Sequence, residues 1–393
     1  MTPPLDRPSV LVFVGHYLPG YKAGGIVRTI INTVDHLCEE FEFRVVTSDR
    51  DLADAEPYPG VVLGEWQKVG NALVYYVPAS GHTLKAITAL VQSVPDAVLY
   101  LNSFFDPFTV KVLFAVRTGA IRGRRVIVAP RGEFAWASLG QKYPKKLAFM
   151  LCARLFGLYR GVIWHASSRF EGDDIVNVMK VDLATIHVAF DFALKQQAPD
   201  DVMVTEGGGE NHGRLRMVFL SRVAREKNLD YALRILRDVR AEVLFEIYGP
   251  TADAAYWAEC QAIMAELPPN VEVRYRGAAA ADTVMEVFSQ YDLFLFPTGG
   301  EAYGHVIVEA LLAGTQLLVS RETPWRDLEA DGLGWDVGLE HPEQFVATIE
   351  QLSATPALER RARRSRVREA VAQRLADPAI AEAHRRLLLG AAR

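Results

Sequence analysis

Residues 294–314, FLFPTGGEAYGHVIVEALLAG, constrain the fold of this chain more than any other stretch. The apolar run at 293–296, closed by Pro297, has the length and composition of a buried strand end. Thr298-Gly299-Gly300 makes a turn, and the apolar segment 305–313 predicts a helix that stops at Gly314, a residue type favoured just past a helix end. A strand, a turn and a helix in this order leave the backbone N–H groups of Gly304, His305 and Val306 without intrahelical partners. Such a helix start, the positive end of the peptide dipoles, suits phosphate. Glu309 is the exception inside the helix. VIVEALLAG is apolar nearly all round and is expected to be buried, and a buried carboxylate is costly unless paired or hydrogen-bonded. Glu301 and Glu309 thus put one carboxylate before the helix and one in its second turn, where both can face a ligand whose phosphates rest on the helix start.

Glu301 and Glu309, separated by seven residues with Gly304 between them and followed by Ala310 in an apolar helix, resemble the signature of the family 4 (group 1) retaining glycosyltransferases. The resemblance implies the GT-B fold, with Glu301 contacting the donor sugar and Glu309 the ribose hydroxyls. The same residues also read as a surface turn leading into a core helix.

The chain has 393 residues, enough for two domains of ordinary size. Apolar residues make up 50% and charged residues 23%, the balance of a globular protein. A formal net charge of −5 argues against nucleic acid as a partner. Cys38, Cys152 and Cys260 show no ligand spacing and read as buried thiols of a reducing compartment. The segment MTPPLDRPSV lacks the basic-then-apolar pattern of a signal peptide, and no uncharged apolar run reaches the roughly 18–20 residues of a spanning helix. The expected location is cytoplasmic, free or peripheral on the cytoplasmic face of the membrane.

In the first half, SVLVFV at 9–14 predicts the first strand of a parallel sheet. The loop after it carries His16 and then Gly24-Gly25, ahead of a helix expected over 28–39. Paired glycines before a helix let backbone approach a ligand closely, although this is not the GxGxxG dinucleotide fingerprint. With Arg28 the loop resembles the glycine-glycine loop of GT-B transferases; a flexible surface loop is the other reading. FEFRVVT at 41–47 is the second strand and leads to Asp49-Arg50-Asp51. A DxD binds a metal and the donor phosphates in GT-A glycosyltransferases, but no metal-ligand partner is near in sequence and a solvated loop is the better reading. AVLYL at 97–101 and RVIVA at 125–129 are further strands, and loops leaving such carboxyl ends meet ligands in open α/β sheets.

The second of these strands leads into Pro130-Arg131-Gly132-Glu133. Many family 4 enzymes have His where this chain has Arg131, and the PRG form resembles a bacterial polysaccharide-assembly branch. Arg131 is therefore expected to bind a charged group of donor or acceptor, or else to be a surface arginine. His16, Arg28 and Glu133 are candidates on the acceptor side. His165 reads as a packed residue rather than a catalytic one. Over 141–160, a basic cluster beside an apolar helix has two readings, a contact with an anionic membrane surface or a helix packed in the core.

Residues 198–213, polar and Gly-rich without periodicity, read as a linker. Beyond them RMVFL at 216–220 opens a second sheet and leads into Arg222 and Lys227, which resemble the family's arginine-then-lysine element. The physics is direct: a departing nucleoside diphosphate gains charge as the glycosidic bond breaks, and fixed cations aimed at it stabilise the transition state more than the ground state. Those two side chains and the helix start at Gly304 would stand in for a metal. VLFEIY followed by Gly249-Pro250 is again family-like, as is the strand before Gly277. Trp325 either stacks on a base or packs. The arginine-rich segment 359–374 reads as an exposed helix face.

The expectation is an α/β protein, GT-B, with two doubly wound Rossmann-like domains facing a cleft: residues 1–197 on the acceptor side, with 378–393 packing back onto them, and residues 214–377 binding the nucleotide sugar. The resemblance implies transfer of a sugar from a nucleoside-diphosphate sugar to a saccharide or lipid-linked saccharide acceptor with retention, without cofactor or metal. Retention in the family is ascribed to front-face attack, the leaving phosphate taking the acceptor proton. Catalytic roles are expected for Glu301, Arg222, Lys227 and Arg131. Donor contacts are expected from Gly24, Gly25, Gly249, Gly304, His305, Val306 and Glu309, with Gly24 and Gly25 reaching the diphosphate after cleft closure. The competing readings are a nucleotide-sugar epimerase on the same fold and a non-catalytic sugar-nucleotide-binding protein.

Overall fold

The computed structural model of the chain describes residues 7–140, 143–195, 213–251, 253–280 and 282–390. They divide into two units, Met1–Lys195 with Pro378–Arg393, and Gln196–Asp377. Most of the linker expected at 198–213 lies outside the described residues.

The first unit runs β1 (Ser9–Phe13), α1 (Gly25–Leu37), β2 (Glu42–Ser48), β3 (Trp66–Val69), β4 (Ala72–Val77), α2 (Leu84–Gln92), β5 (Val98–Asn102), α3 (Pro107–Arg117), β6 (Val126–Ala129), α4 (Trp136–Leu139), α5 (Tyr143–Leu155), β7 (Ile163–Ala166), α6 (Arg169–Met179) and β8 (Ile186–Val188). Its sheet has the order β3-β4-β2-β1-β5-β6-β7-β8 and is parallel except for the β3–β4 pair. The central strands read as continuous apolar runs because both faces are covered. Side chains alternate between the faces: Leu11, Leu99 and Val128 join one core cluster, Val10, Val12, Tyr100 and Ile127 the other. Helix α1 begins at Gly25, earlier than expected, and turns Val27, Ile30, Val34 and Leu37 to the core at the spacing of a helical face.

The second unit runs β9 (Leu215–Leu220), α7 (Leu229–Leu236), β10 (Val243–Tyr248), α8 (Ala254–Ala265), β11 (Val271–Gly277), α9 (Val284–Ser289), β12 (Leu293–Phe296), α10 (His305–Leu312), β13 (Gln316–Ser320), β14 (Gly334–Val337), α11 (Pro342–Ala354) and α12 (Ala357–Leu375). All its strands pair in parallel, in the order β11-β10-β9-β12-β13-β14. The last helix, α13 (Pro378–Leu389), belongs to the first unit, where Leu387 and Leu388 are buried in a core layer and the Arg125 side chain donates to the Leu387 carbonyl at 3.0 Å. Among the described residues no helix is long and apolar enough to cross a membrane.

Three sequence expectations are corrected, and the open reading of Trp325 is decided. The arginine-rich α12 is not an exposed face throughout, because Arg360 and Arg364 are buried. Arg364 donates to the carbonyls of Tyr291 (3.1 Å), Ser289 and Ala313, at and just beyond the carboxyl ends of α9 and α10, where helix geometry leaves carbonyls to be satisfied from outside. Asp49 and Asp51 are not in a solvated loop but 3% and 4% exposed. Asp51 accepts the backbone N–H groups of Tyr21 (2.8 Å), Lys22 (3.1 Å) and Leu52 (2.7 Å), so it ties down the loop before α1. Trp325 packs: it is 5% exposed and donates its indole N–H to the Tyr303 carbonyl at 2.7 Å. Cys152 is exposed, unlike the buried Cys260.

Candidate active site

Both sheets are built outward in two directions from their middle. In the second unit the chain goes from β9 to β10 and β11 on one side, and from β12 to β13 and β14 on the other. The gap between the carboxyl ends of β9 and β12 is therefore a topological switch point, the place where open α/β sheets take ligands. The two stretches singled out in the sequence leave those two strands.

After β9, the segment Ser221–Asn228 is held by main chain. Ser221 N donates to Tyr248 O (3.0 Å) and Val223 N to Pro250 O (3.0 Å). Gly249 makes this possible: a Cβ there would sit 1.8 Å from the Ser221 carbonyl oxygen. Asn228, left-handed at φ 54°, redirects the chain into α7. After β12, Gly299 N and the Thr298 hydroxyl both donate to the Glu226 carbonyl, at 2.8 and 3.1 Å. Ser320 Oγ donates to Thr298 O at 2.5 Å, and Glu301 N to Glu322 O at 2.9 Å. The two loops are thus bolted together through backbone.

That frame brings Lys227 and Glu301 into an ion pair at 2.6 Å, with 13% and 18% of their side chains exposed. Arg222 pairs with Glu226 at 3.2 Å and keeps 55% of its side chain in solvent. Beyond Glu301 the chain turns at Gly304 (φ 80°, ψ 65°), a left-handed conformation that a side chain makes costly. Helix α10 starts there, with His305 and Val306 half-buried in its first turn. Glu309, 5% exposed, lies among the buried Ile307, Val308, Ala310 and Leu311. The second unit therefore gathers Arg222, Lys227, Gly249, Glu301, Gly304, His305, Val306 and Glu309 on the elements that leave β9, β10 and β12.

The remaining candidates belong to the first unit. Gly24 (φ 67°) and Gly25 stand at the start of α1, with Arg28 half-buried one turn on. His16 Nδ1 lies 3.0 Å from Arg50 O. Arg131 is no surface arginine: its side chain is 4% exposed. Its guanidinium meets Asp191 at 2.8 Å, the Tyr100 hydroxyl at 2.5 Å and Asn102 Oδ1 at 3.0 Å. All three of its nitrogens are engaged inside the first unit, unlike the largely exposed guanidinium of Arg222. Glu133 accepts from Ser103 Oγ (2.6 Å) and from the backbone N–H groups of Phe104 and Phe105, and burial pushes its carboxyl up to about 7. Asp106, the N-cap of α3, is raised to about 6 by burial. His165 is a packed residue, as its 0% exposure shows, with Tyr100 OH at 2.6 Å and burial holding it well below the usual imidazole range.

Sequence reasoning missed Asp106, Asp191 and Glu226. Asp106 carried a signal, since Asp before Pro at a helix start is an N-cap pattern. Asp191 meets Arg131 and Thr29 only through the fold, whereas the Glu226 carboxylate pairs with Arg222 four residues earlier. Among the described residues no group of three or more His, Cys, Asp or Glu is placed to hold a metal.

Residues 205–370 match the family described as glycosyl transferases group 1. The match covers most of the second unit. A curated relative, an uncharacterized 41.2 kDa protein in the cps region of Klebsiella pneumoniae, is 23% identical over 64% of this chain and 68% of its own length. Solved structures share the fold over nearly the whole length of the chain. WaaG, a glycosyltransferase involved in lipopolysaccharide biosynthesis, matches at TM-score 0.65 and 15% identity, over 97% of this chain and 100% of that one. Anabaena HepE, solved with UDP and glucose, matches at TM-score 0.67 and 13% identity over 97% and 98%. A sucrose-phosphate synthase from Thermosynechococcus elongatus matches at TM-score 0.69 and 13% identity over the same shares. The architecture is GT-B, two Rossmann-like domains each built on a largely parallel sheet.

Proposed function

We propose that this glycosyltransferase moves a sugar from a nucleoside-diphosphate sugar to a saccharide or lipid-linked saccharide acceptor, with retention, in cell-surface polysaccharide biosynthesis. The observation that carries the reading is the Lys227–Glu301 pair at 2.6 Å, at the β9–β12 switch point and just before the start of α10. Lys227, Arg222 and the N–H groups at Gly304, His305 and Val306 face the diphosphate, where charge develops. Glu301 holds donor-sugar hydroxyls and Glu309 the ribose diol. The acceptor oxygen bonds to the anomeric carbon on the face from which the phosphate departs, the bond to the leaving oxygen breaks, and the acceptor proton passes to that phosphate. The reaction needs no cofactor and no metal, because the site's own cations balance the diphosphate. The relative in a cps region and the likeness to WaaG support the polysaccharide setting.

The test is to incubate the purified chain with a panel of nucleotide sugars and saccharide acceptors and to analyse products by NMR. Transfer with the donor's anomeric configuration is expected. A sugar inverted at a ring carbon without transfer identifies an epimerase, and binding without turnover a non-catalytic protein.

The lipid-linked form of the acceptor has its own support. Helix α5 buries Met150 and Ala153 but exposes Leu147, Leu151 and Leu155, one every four residues, with Phe156 beyond them 78% exposed. Lys145, Arg154 and Arg160 are exposed beside them, and no Asp or Glu occurs between Glu133 and Glu171. An apolar stripe inside a basic segment fits the anionic cytoplasmic face of the inner membrane. Leu151→Glu is expected to abolish co-sedimentation with anionic vesicles; unchanged sedimentation removes the membrane contact. Gln141 and Lys142 of the expected segment lie outside the described residues.

A further inference from the structure

Both cations assigned to the diphosphate already have a carboxylate. Lys227 Nζ lies 2.6 Å from Glu301 Oε1, with neither side chain more than one-fifth exposed. Arg222 Nη2 lies 3.2 Å from Glu226 Oε1, the carboxylate 11% exposed and the guanidinium open to solvent. The Lys227–Glu301 pairing is set by backbone rather than by chance contact of long side chains, and Arg222 and Glu226 lie four residues apart in one loop. The Glu226 carbonyl accepts both Gly299 N and Thr298 Oγ1, so the loop carrying both cations and the loop carrying Glu301 keep a fixed register. A carboxylate held beside a cation orients it and also cancels part of the charge an incoming anion would feel. A diphosphate must therefore compete with Glu301 for Lys227 and with Glu226 for Arg222.

We propose that Glu301 and Glu226 are displaceable counter-ions that hold the diphosphate-binding cations, yield them to the donor and reclaim them from the product. This rests on the reading of the site given above. The intact donor offers Glu301 sugar hydroxyls in exchange for the ammonium, so carboxylate and cation both keep a partner. The product has lost the sugar, and nothing replaces the ammonium for Glu301. The exchange thus weakens the nucleoside diphosphate selectively, although it carries more charge than the donor and would otherwise be held tightest. Glu301 then does two things, holding the sugar and helping to expel what remains after transfer. Glu226, which the sequence did not single out, is a positioning residue with the second of these tasks alone.

Sugar-free ligands isolate the effect. Calorimetry is run with UDP, ADP, GDP and inorganic pyrophosphate on the wild type, Glu301→Gln, Glu226→Gln, Lys227→Ala and the Lys227→Ala/Glu301→Gln double variant. For whichever diphosphate binds the wild type, Glu301→Gln is expected to tighten binding about fivefold, the worth of a part-buried ion pair, while its turnover with donor falls. Glu226→Gln tightens binding about twofold, because Arg222 is exposed and its pair correspondingly weaker. In the Lys227→Ala background the Glu301→Gln gain disappears. Unchanged or weaker affinity in Glu301→Gln overturns the proposal and leaves Glu301 as a sugar ligand. The same gain with Lys227 removed also overturns it, since plain repulsion then accounts for the effect. If the wild type binds none of the four ligands, the diphosphate site itself is refuted, a result distinct from the other two.

Discussion

Lys227 and Glu301, between β9 and β12, keep 13% and 18% of their side-chain surface in solvent, and Arg222 beside them keeps 55%. In the first unit Arg131 and Asp191 keep 4% each, and Asp191 also accepts from the Thr29 hydroxyl at 2.8 Å. Both regions join charged side chains from loops at the carboxyl ends of parallel strands. The difference lies in who else bonds to them. Arg131 meets Asn102, Tyr100 and Asp191 in one buried network, so its charge is consumed in holding three segments together, β5, the loop after β6 and the segment after β8. Lys227 bonds to one carboxylate, that of Glu301, and its ammonium lies 5.8 Å from the centre of the Phe296 ring. A fully buried ion pair locks structure, whereas the Lys227–Glu301 pair is only part-buried and has fewer partners to give up. The two arginines that sequence placed in the same catalytic set, Arg131 and Arg222, belong to these opposite kinds.

The comparison breaks first on stability. Arg131→Met leaves Asp191 buried without its cation and should cost about 3–5 kcal/mol in urea unfolding; a loss below about 1 kcal/mol would show that the network is not what holds these loops. Lys227→Ala and Arg222→Ala should do the reverse, leaving unfolding nearly unchanged. Their turnover at saturating donor should fall on the order of 10²–10³, measured by steady-state kinetics with circular dichroism as the folding control. A raised Michaelis constant with turnover intact would mean uniform binding and no catalytic part.

Glu133 sharpens the contrast through pH. Its carboxyl is raised by burial from 4.5 to about 7, so as pH rises the unfolded chain loses this proton first. Stability therefore falls between about pH 4.5 and about 7, by an amount of order 1–3 kcal/mol. Glu133→Gln should flatten most of that fall in denaturant titrations at several pH values; an unaltered slope would assign it to Asp106, which is raised to about 6. In the second unit, Glu309→Gln should keep the fold and weaken nucleoside diphosphate binding roughly tenfold, the effect of losing one charged hydrogen bond. Equal affinity by calorimetry would remove the ribose role. The smallest expected effect is that of EDTA, which should leave turnover unchanged; loss of activity restored by manganese would return Asp49 and Asp51 to consideration.

The amino-acid sequence by itself determined the alternation of strand and helix in both halves, because apolar runs and glycine stops are local signals. It also marked Gly304, Glu301 and Glu309, which stand at a helix start that periodicity reveals, and Arg222 and Lys227, which resemble the family's arginine-then-lysine element. It misjudged residues whose environment is assembled from afar. Asp49 and Asp51 look solvated in a polar stretch, yet Asp51 is buried by accepting three backbone N–H groups, two of them from a loop about thirty residues earlier in the chain. Arg360 and Arg364 look like a charged face, yet carbonyls from segments roughly fifty or more residues away draw Arg364 inward. Arg131 and Arg222 each follow a parallel strand, and nothing local tells them apart. Only tertiary structure decides which of the two is surrounded by buried acceptors and which stays open to solvent, because burial and pairing depend on which strands the sheet order makes neighbours.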